Sequence, residues 1–179
     1  MSEHSISIVP RQSSYPDNRS KAYEILDWLV SKDIVKKTSS DCILSSEYGY
    51  AISDGARLVS PSPDYLPFDY NINGLEIVIE RCIFDAGEGG LDKIICPNCL
   101  KNIANEDWDL NPWYNKESDN LICPACRHET DIHKFRFEPT WGFSDLGFTF
   151  WNWPDFTDEF ISDFKKKLEC DISIVHTHR

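Results

Sequence analysis

Two tight pairs of cysteines constrain this chain more than any other feature. The pairs are Cys96 with Cys99 and Cys123 with Cys126, each around a dipeptide that begins with proline, and 23 residues separate them. Two residues between thiolates let both sulfurs of a pair reach one ion from a single turn, and the proline fixes part of that turn. Two such turns complete a tetrahedron of sulfur around Zn²⁺. We therefore predict a zinc ribbon over residues 96–126.

Four thiolates leave no open coordination position, so this zinc is expected to stabilise the fold rather than to activate water. The gap is longer than the roughly 15–20 residues of the commonest Cys₄ pattern, which predicts a longer hairpin or flap between the pairs. Iron–sulfur binding, redox-active dithiols and free thiols are the alternatives. His128 and His133 follow Cys126 and are substitute ligands in principle, although four sulfurs suffice.

The chain is strongly acidic, with 30 Asp and Glu against 18 Lys and Arg and a net charge of −12. Such a molecule repels phosphate backbones and is attracted to basic surfaces. The charge therefore disfavours nucleic acid as a partner. A nucleic-acid-associated ribbon stays an alternative if Arg127, Lys134 and Arg136 form one basic face.

The segment between the cysteine pairs is acidic and aromatic. Residues 100–122 carry two lysines and five carboxylates, a net charge of −3, together with Trp108, Asp109, Trp113 and Tyr114. Aromatic anchors beside carboxylates suit docking on a basic protein surface. The alternative is that these rings cover the ribbon or fix it to the main domain, because small modules need such cover.

Hydrophobic periodicity predicts an α+β fold. We expect strands at residues 5–9, near 42–44, near 56–59, at 75–80 and from Ile172, and amphipathic helices along Ala22–Val30 and 157–169. Two strand–helix–strand halves would give a ferredoxin-like antiparallel sheet with two helices and the inserted Cys₄ ribbon. The predicted main domain is discontinuous, with residues 1–95 and 127–179, and the insertion is 96–126.

An aromatic run near the C-terminus should contribute to the core. Alternation along residues 147–153 would place Trp151 and Trp153 on one face and Phe148 and Phe150 on the other. One face should pack against the core, and the other is either covered by a helix or binds a partner.

Two stretches resemble a family of uncharacterised bacterial zinc-ribbon-containing proteins. They are Ile8-Val9-Pro10-Arg11-Gln12 and the aromatic run Trp141–Pro154. Some members of that family carry a sugar-transporter ATPase label. The resemblance implies no catalytic residues, and this chain has no nucleotide-binding loop that would support an ATPase.

Motifs for catalysis and for membranes are lacking in the sequence. A zinc-protease helix, a nucleophile elbow, a Walker loop and a kinase signature are all missing. His176 and His178 stand two apart on a predicted strand, which suits a second metal or an acid–base pair, but solvated histidines are the simpler interpretation. No secretory signal or apolar run of about 20 residues is present. We therefore expect a soluble, cytoplasmic protein.

The single cysteines agree with a reducing compartment. Cys42, Cys82 and Cys170 stand alone in an odd total of seven, and we expect them to be small buried hydrophobic residues.

The leading functional hypothesis is a non-enzymatic zinc-binding protein that acts through protein–protein interaction, with an immunity or inhibitor protein for a basic toxin as the specific role. An enzyme with a site assembled from scattered Asp, Glu and His residues is the second hypothesis.

Overall fold

The computed structural model describes residues 2–45 and 47–179, and this part of the chain contains three α-helices and twelve β-strands. The helices are α1 (Asn18–Ser31), α2 (Asn111–Tyr114) and α3 (Asp158–Leu168). The strands are β1 (His4–Pro10), β2 (Val35–Ser40), β3 (Gly49–Ile52), β4 (Leu75–Val78), β5 (Cys82–Phe84), β6 (Lys93–Ile95), β7 (Asn120–Ile122), β8 (Glu129–Asp131), β9 (Arg136–Glu138), β10 (Gly142–Ser144), β11 (Gly147–Trp151) and β12 (Ile172–His178).

Six strands form the main sheet, in the order β12-β1-β11-β4-β3-β2, and every neighbouring pair is antiparallel. The longest pairing joins β1 to β12 over seven residues, from His4 opposite His178 to Pro10 opposite Ile172. Helix α1 follows β1, and α3 connects β11 to β12. The α+β class with an antiparallel sheet is therefore confirmed, while the ferredoxin-like topology stays a prediction.

Both long helices pack on the same face of this sheet. Helix α1 buries Ala22, Ile25, Leu26 and Leu29, and α3 buries Phe160, Phe164 and Leu168. These side chains share one cluster with Ile6, Ile8, Phe148 and Phe150 of β1 and β11. The 3.6-residue helical period and the two-residue strand period meet in this core, as the sequence pattern predicts. We call the sheet with α1 and α3 the sheet body.

The opposite face of the sheet is more polar but is also covered. Ser5 and Ser7 of β1 are buried there, and the Ser7 and Thr149 hydroxyls hydrogen-bond at 2.8 Å. Val9 packs with Phe84 of β5 and Val175 of β12. Strand β5 pairs with β10, so these two short strands lead from the sheet body towards the cysteine-containing region.

Two of the expected strands are wrong. Residues 42–44 form no strand, and residues 54–58 form a 3₁₀ helix that buries Ala56 and leaves Leu58 exposed. The strands that extend the sheet are β2 and β3. Strand β2 has one buried residue, Val35, and exposed lysines, which is typical of a protected edge strand without hydrophobic alternation.

The aromatic run departs from simple alternation at its end. Phe148 and Phe150 lie on the helix side, whereas Trp151 packs with Cys42 and Ile43. Asn152 then adopts a left-handed backbone conformation, with φ at 64°. The strand ends there, so Trp153 returns to the helix side and its ring centroid lies 5.0 Å from that of Phe150. The expected pairing of Trp151 with Trp153 on one face is therefore wrong.

Within the described part of the chain, none of the helices has the length and apolar character that crossing a membrane requires.

Candidate metal centre

The cysteine pairs lie in a small unit that we call the cysteine module, residues 93–138. Strands β6 and β9 pair at its base, β7 and β8 form a hairpin, and α2 lies between the cysteine pairs. Its hydrophobic cluster includes Ile94, Cys96, Cys123 and Phe137, and takes in Phe143 of β10 outside the module. The division of the chain at residues 96 and 126 stays a prediction.

Two turns of the same design present the cysteines. In the first turn the Leu100 N–H donates to the Cys96 carbonyl at 3.0 Å, and in the second the Arg127 N–H donates to the Cys123 carbonyl at 2.8 Å. Leu100 and Arg127, each directly after the second cysteine of its pair, have φ values of 63° and 66°. Each turn thus folds both of its thiols to one side, and the local sequence Cys-Pro-x-Cys specifies this geometry.

The four sulfurs converge on one point. The Sγ atoms of Cys96 and Cys126 are 3.8 Å apart, as are those of Cys99 and Cys123. All four lie within 4.8 Å of one another. Zinc–sulfur bonds of about 2.3 Å in a regular tetrahedron require sulfur–sulfur distances of about 3.8 Å. The arrangement therefore has the dimensions of a four-thiolate metal site.

Amide groups of the turns point at the sulfurs. The backbone N–H of Asn98 donates to Cys96 Sγ at 3.4 Å, the backbone N–H of Cys126 donates to Cys123 Sγ at 3.5 Å, and the Asn98 side-chain amide donates to Cys126 Sγ at 3.5 Å. Hydrogen bonds to a thiolate stabilise its charge. The Asn98 side chain and the His128 backbone N–H accordingly lower the pKa of Cys126 to about 6.

The opposite pKa shift at Cys99 reflects the crowding of four thiols. The Lys101 backbone N–H lowers the pKa of Cys99, but desolvation and the neighbouring cysteines outweigh it and raise that pKa to about 11. Four adjacent thiols do not all ionise without a positive charge between them. A divalent ion supplies that charge, and because it requires thiolates, acid should release it.

The four sulfurs leave no place for a histidine. Among the described residues they are the one group of three or more His, Cys, Asp or Glu side chains close enough to hold a metal ion. His128 is exposed. The His133 ring nitrogens contact an Asp131 carboxylate oxygen at 2.9 Å and the Phe143 carbonyl at 2.8 Å, so this ring is engaged elsewhere.

The three single cysteines differ in burial. Cys42 is buried as expected, whereas Cys82 and Cys170 are half-buried. Desolvation raises the pKa of Cys82 to about 11 and also raises the pKa of Cys170. A raised pKa keeps a thiol protonated and unreactive near neutral pH.

Trp113 joins the cysteine module to the sheet body. Its ring is 1% exposed, and its indole N–H donates to the Ser13 hydroxyl at 2.8 Å. The Arg81 guanidinium lies 4.3 Å above the ring centroid and donates to the Trp113 carbonyl at 2.8 Å. Arg81 also pairs with Asp119. For this ring the structure supports the covering role, because a partner cannot reach it on the surface.

The other three residues of the predicted partner surface are more accessible. Tyr114 is 57% exposed and Asp109 is exposed. Trp108 is half-buried; its indole N–H donates to the Ala104 carbonyl at 3.0 Å, and its ring meets Trp141 edge to face. Asp109 accepts a hydrogen bond from the Asn111 N–H at 2.9 Å and so fixes the start of α2. Partner binding by these residues stays a prediction.

One groove on the cysteine module combines apolar and acidic side chains. It encloses about 210 Å³ and is lined by carboxylates, apolar residues and one arginine: Asp107, Asp109, Glu129, Pro112, Ile122, Pro124, Ser118, Asn120 and Arg127. Ile122 is 48% exposed there. We call this surface the acidic groove. Neither Ile122 nor Glu129 was among the residues predicted for a partner, because they become neighbours through hairpin pairing and join Asp109 only in the folded module.

The basic residues that would favour nucleic acid do not all line one cavity. Lys134 and Arg136 line one, whereas Arg127 lines the acidic groove with three carboxylates.

His176 and His178 are exposed on β12. The His178 ring lies 6.3 Å from that of His4 on the neighbouring strand, and these histidines form no group of metal-ligand dimensions with a third residue among those described.

Comparison with protein-family models, with curated proteins and with solved structures finds no match for this chain. The resemblance to the bacterial zinc-ribbon family therefore stays a prediction, and function must be argued from the chain itself.

Proposed function

We propose that the four cysteines hold one structural zinc ion and that the protein acts by binding another protein, without catalysing a reaction. The observation that carries the first part is the convergence of four sulfurs within 4.8 Å of one another, with Cys96 and Cys123 fully buried. Zinc is the usual ion for four thiolates in a closed structural site. A reducing cytoplasm would keep these thiols available for the ion.

The acidic groove is the surface that we propose for the partner. Three carboxylates around exposed Ile122 face one opposing charge, that of Arg127. Such a surface suits a basic segment whose aliphatic stems pack on the apolar residues while their charged ends meet the carboxylates. The specific role we propose is that of an immunity or inhibitor protein covering a basic toxin.

A lysine-rich decapeptide tests the charge preference of the groove. Asp107→Asn, Asp109→Asn and Glu129→Gln together should weaken peptide binding about tenfold, because exposed ion pairs are each worth up to about 1 kcal/mol. The matched control is Asp41→Asn, Asp69→Asn and Glu88→Gln, which changes net charge equally at exposed positions away from the groove. Fluorescence anisotropy at low and high salt measures both. Equal weakening by the two variants would contradict the groove as the docking surface.

The inhibitor role has its own test. A basic toxin encoded beside this gene should bind the zinc-loaded protein and lose its activity, and the groove variant should restore that activity. Failure of every neighbouring gene product to bind would count against an immunity role while leaving the zinc site untouched.

We also propose a ferredoxin-like core for the sheet body. The four strands β12-β1-β11-β4 with α1 and α3 support this proposal. Strands β1 and β4 run parallel to each other with β11 between them. Likewise, β11 and β12 run parallel to each other with β1 between them. Strands β3 and β2 would then be an extension at one edge.

We propose no reaction for the enzyme hypothesis. One of the larger cavities, about 490 Å³, is lined by Ser14, Arg81, Lys116, Glu117, Ser118, Asp119 and Asp145. Arg81 and Asp119 pair with each other, and Asp145 accepts the Tyr15 N–H at 2.7 Å. These groups hold the module and the loop after β1 in place, which is a structural role.

A further inference from the structure

A second cavity, where the cysteine module meets the end of β1, has the opposite charge to the rest of the molecule. It encloses about 180 Å³ and is lined by basic, aromatic and neutral residues: Arg11, His133, Lys134, Arg136, Phe135, Phe137, Trp141, Phe143, Ile132 and Thr140. None of these residues is acidic, although the chain has a net charge of −12. We call this surface the basic cavity.

Neutral hydrogen-bond acceptors hold the Arg11 side chain in place. Its guanidinium donates to the His133 carbonyl and, at 3.3 Å, to the Ser173 hydroxyl. Both acceptors are neutral, so they orient the guanidinium, and Arg11 forms no ion pair with a carboxylate in the described part of the chain. A fixed guanidinium with free N–H donors is suited to bind a planar or tetrahedral oxyanion.

Lys134 supplies a second positive charge. It is exposed, and it forms no ion pair with the described residues. The other two basic side chains are already paired, Arg136 with Glu138 at 2.9 Å and His133 with Asp131 at 2.9 Å. Among the described residues, the cavity thus offers two cations without an ion-pair partner, Arg11 and Lys134, while the Arg136 side chain is paired with Glu138 and the His133 ring contacts Asp131.

The walls and the size of the cavity limit which ligands it can bind. Phe135, Phe137 and Phe143 are buried and form a wall of low polarity, which strengthens the attraction between the cations and an anion. A volume of about 180 Å³ is smaller than the roughly 300–1,000 Å³ of sites for drug-sized ligands. A phosphate group fits this description, and its two negative charges match these two cations.

We propose that the basic cavity is a phosphate-binding site, with Arg11 and Lys134 as its anion-binding residues. The phosphate is either free inorganic phosphate or the phosphate group of a small monoester. The site is separate from the acidic groove, so it does not depend on the partner proposed above.

Calorimetric titration of the zinc-loaded protein in low-salt buffer tests this site with two probes, inorganic phosphate and phenyl phosphate. Saturable binding of one phosphate per chain is expected. Lys134→Gln should weaken that binding by at least about tenfold, because it removes one of the two charged donors that contact the phosphate. Lys134→Arg should retain it, since the positive charge and donor capacity remain.

The control is Lys36→Gln, which removes one charge from an exposed position on β2. It should bind phosphate as the wild-type chain does. Arg11→Gln is a second variant, and circular dichroism checks its fold because Arg11 also supports the His133 backbone. Binding of phenyl phosphate alone would assign the site to monoesters. Absence of saturable binding of both probes, or equal weakening by the Lys36 and Lys134 variants, would overturn the proposal.

Discussion

The sheet body and the cysteine module reach a stable structure by different means. The sheet body joins strands of up to seven residues with two helices and buries one large apolar cluster. The strands of the cysteine module have three residues each, and two of its cysteines are part of its small core. Burial of apolar side chains stabilises the sheet body, whereas the cysteine module needs a cross-link.

This difference shows why a closed metal site belongs in one region and not in the other. A short hairpin cannot bury enough surface to offset its loss of conformational entropy. A metal held by two turns fixes both ends of the segment between residues 99 and 123 at once. The sheet body has no such need, because four of its six strands are paired on both sides.

Zinc removal should have the largest effect and should separate the two regions. A strong chelator removes the ion, and because structural zinc binding contributes about 10–16 kcal/mol in small zinc modules, the cysteine module should unfold. Hydrogen exchange followed by mass spectrometry should show lost protection across residues 93–138 and retained protection in β1 and β12. Addition of zinc should restore protection across residues 93–138. Simultaneous loss of protection in both regions would contradict the distinction between the sheet body and the cysteine module.

Trp113→Ala should have the next largest effect, at the contact between the two regions. It removes a buried ring and the hydrogen bond to Ser13, so a loss of about 3–5 kcal/mol in the free energy of unfolding is expected. Tyr114→Ala, at the neighbouring exposed position, should change stability by less than about 0.5 kcal/mol. Urea unfolding of the zinc-loaded chains measures both. Similar losses for the two variants would contradict the role of Trp113 as the joint.

Asn98→Ala should have a smaller effect, confined to the metal centre. The Asn98 amide is the main cause of the lowered Cys126 pKa, so its removal should raise that pKa and let protons compete better with zinc. Zinc release on acidification should then begin at a higher pH, with zinc affinity roughly tenfold weaker. Asn105→Ala, at an exposed position in the segment between the cysteine pairs, is the control. A chromogenic chelator follows the release. An unchanged or lower release pH would contradict this role of Asn98.

The parts of the structure that local sequence determines could be predicted. The two cysteine turns follow from Cys-Pro-x-Cys, and helices α1 and α3 follow from hydrophobic spacing, with the Thr157 side chain accepting the Phe160 N–H at 3.2 Å as an N-cap. In the same way, alternation in residues 5–9 and 172–176 identified β1 and β12, the pair with the longest register.

Features that depend on distant residues could not be predicted. Strand β2 has no apolar alternation, and only its pairing with β3 makes it a strand. Arg81 has no sequence signal for its contacts with Trp113 and Asp119, which lie more than 30 residues away. The basic cavity likewise combines Arg11 with residues 132–143. These arrangements arise from packing between the two regions, so spacing along the chain does not reveal them.

The proposed metal centre requires one zinc ion bound by four sulfurs. Metal analysis and X-ray absorption at the zinc edge, on protein purified without added metal, test this directly. We predict one zinc per chain with four sulfur ligands at about 2.3 Å, and we predict that Cys99→Ser loses zinc and stability while Cys170→Ser keeps both. Iron in place of zinc, a site with nitrogen or oxygen ligands, or a Cys99→Ser chain with full zinc and stability would contradict the account.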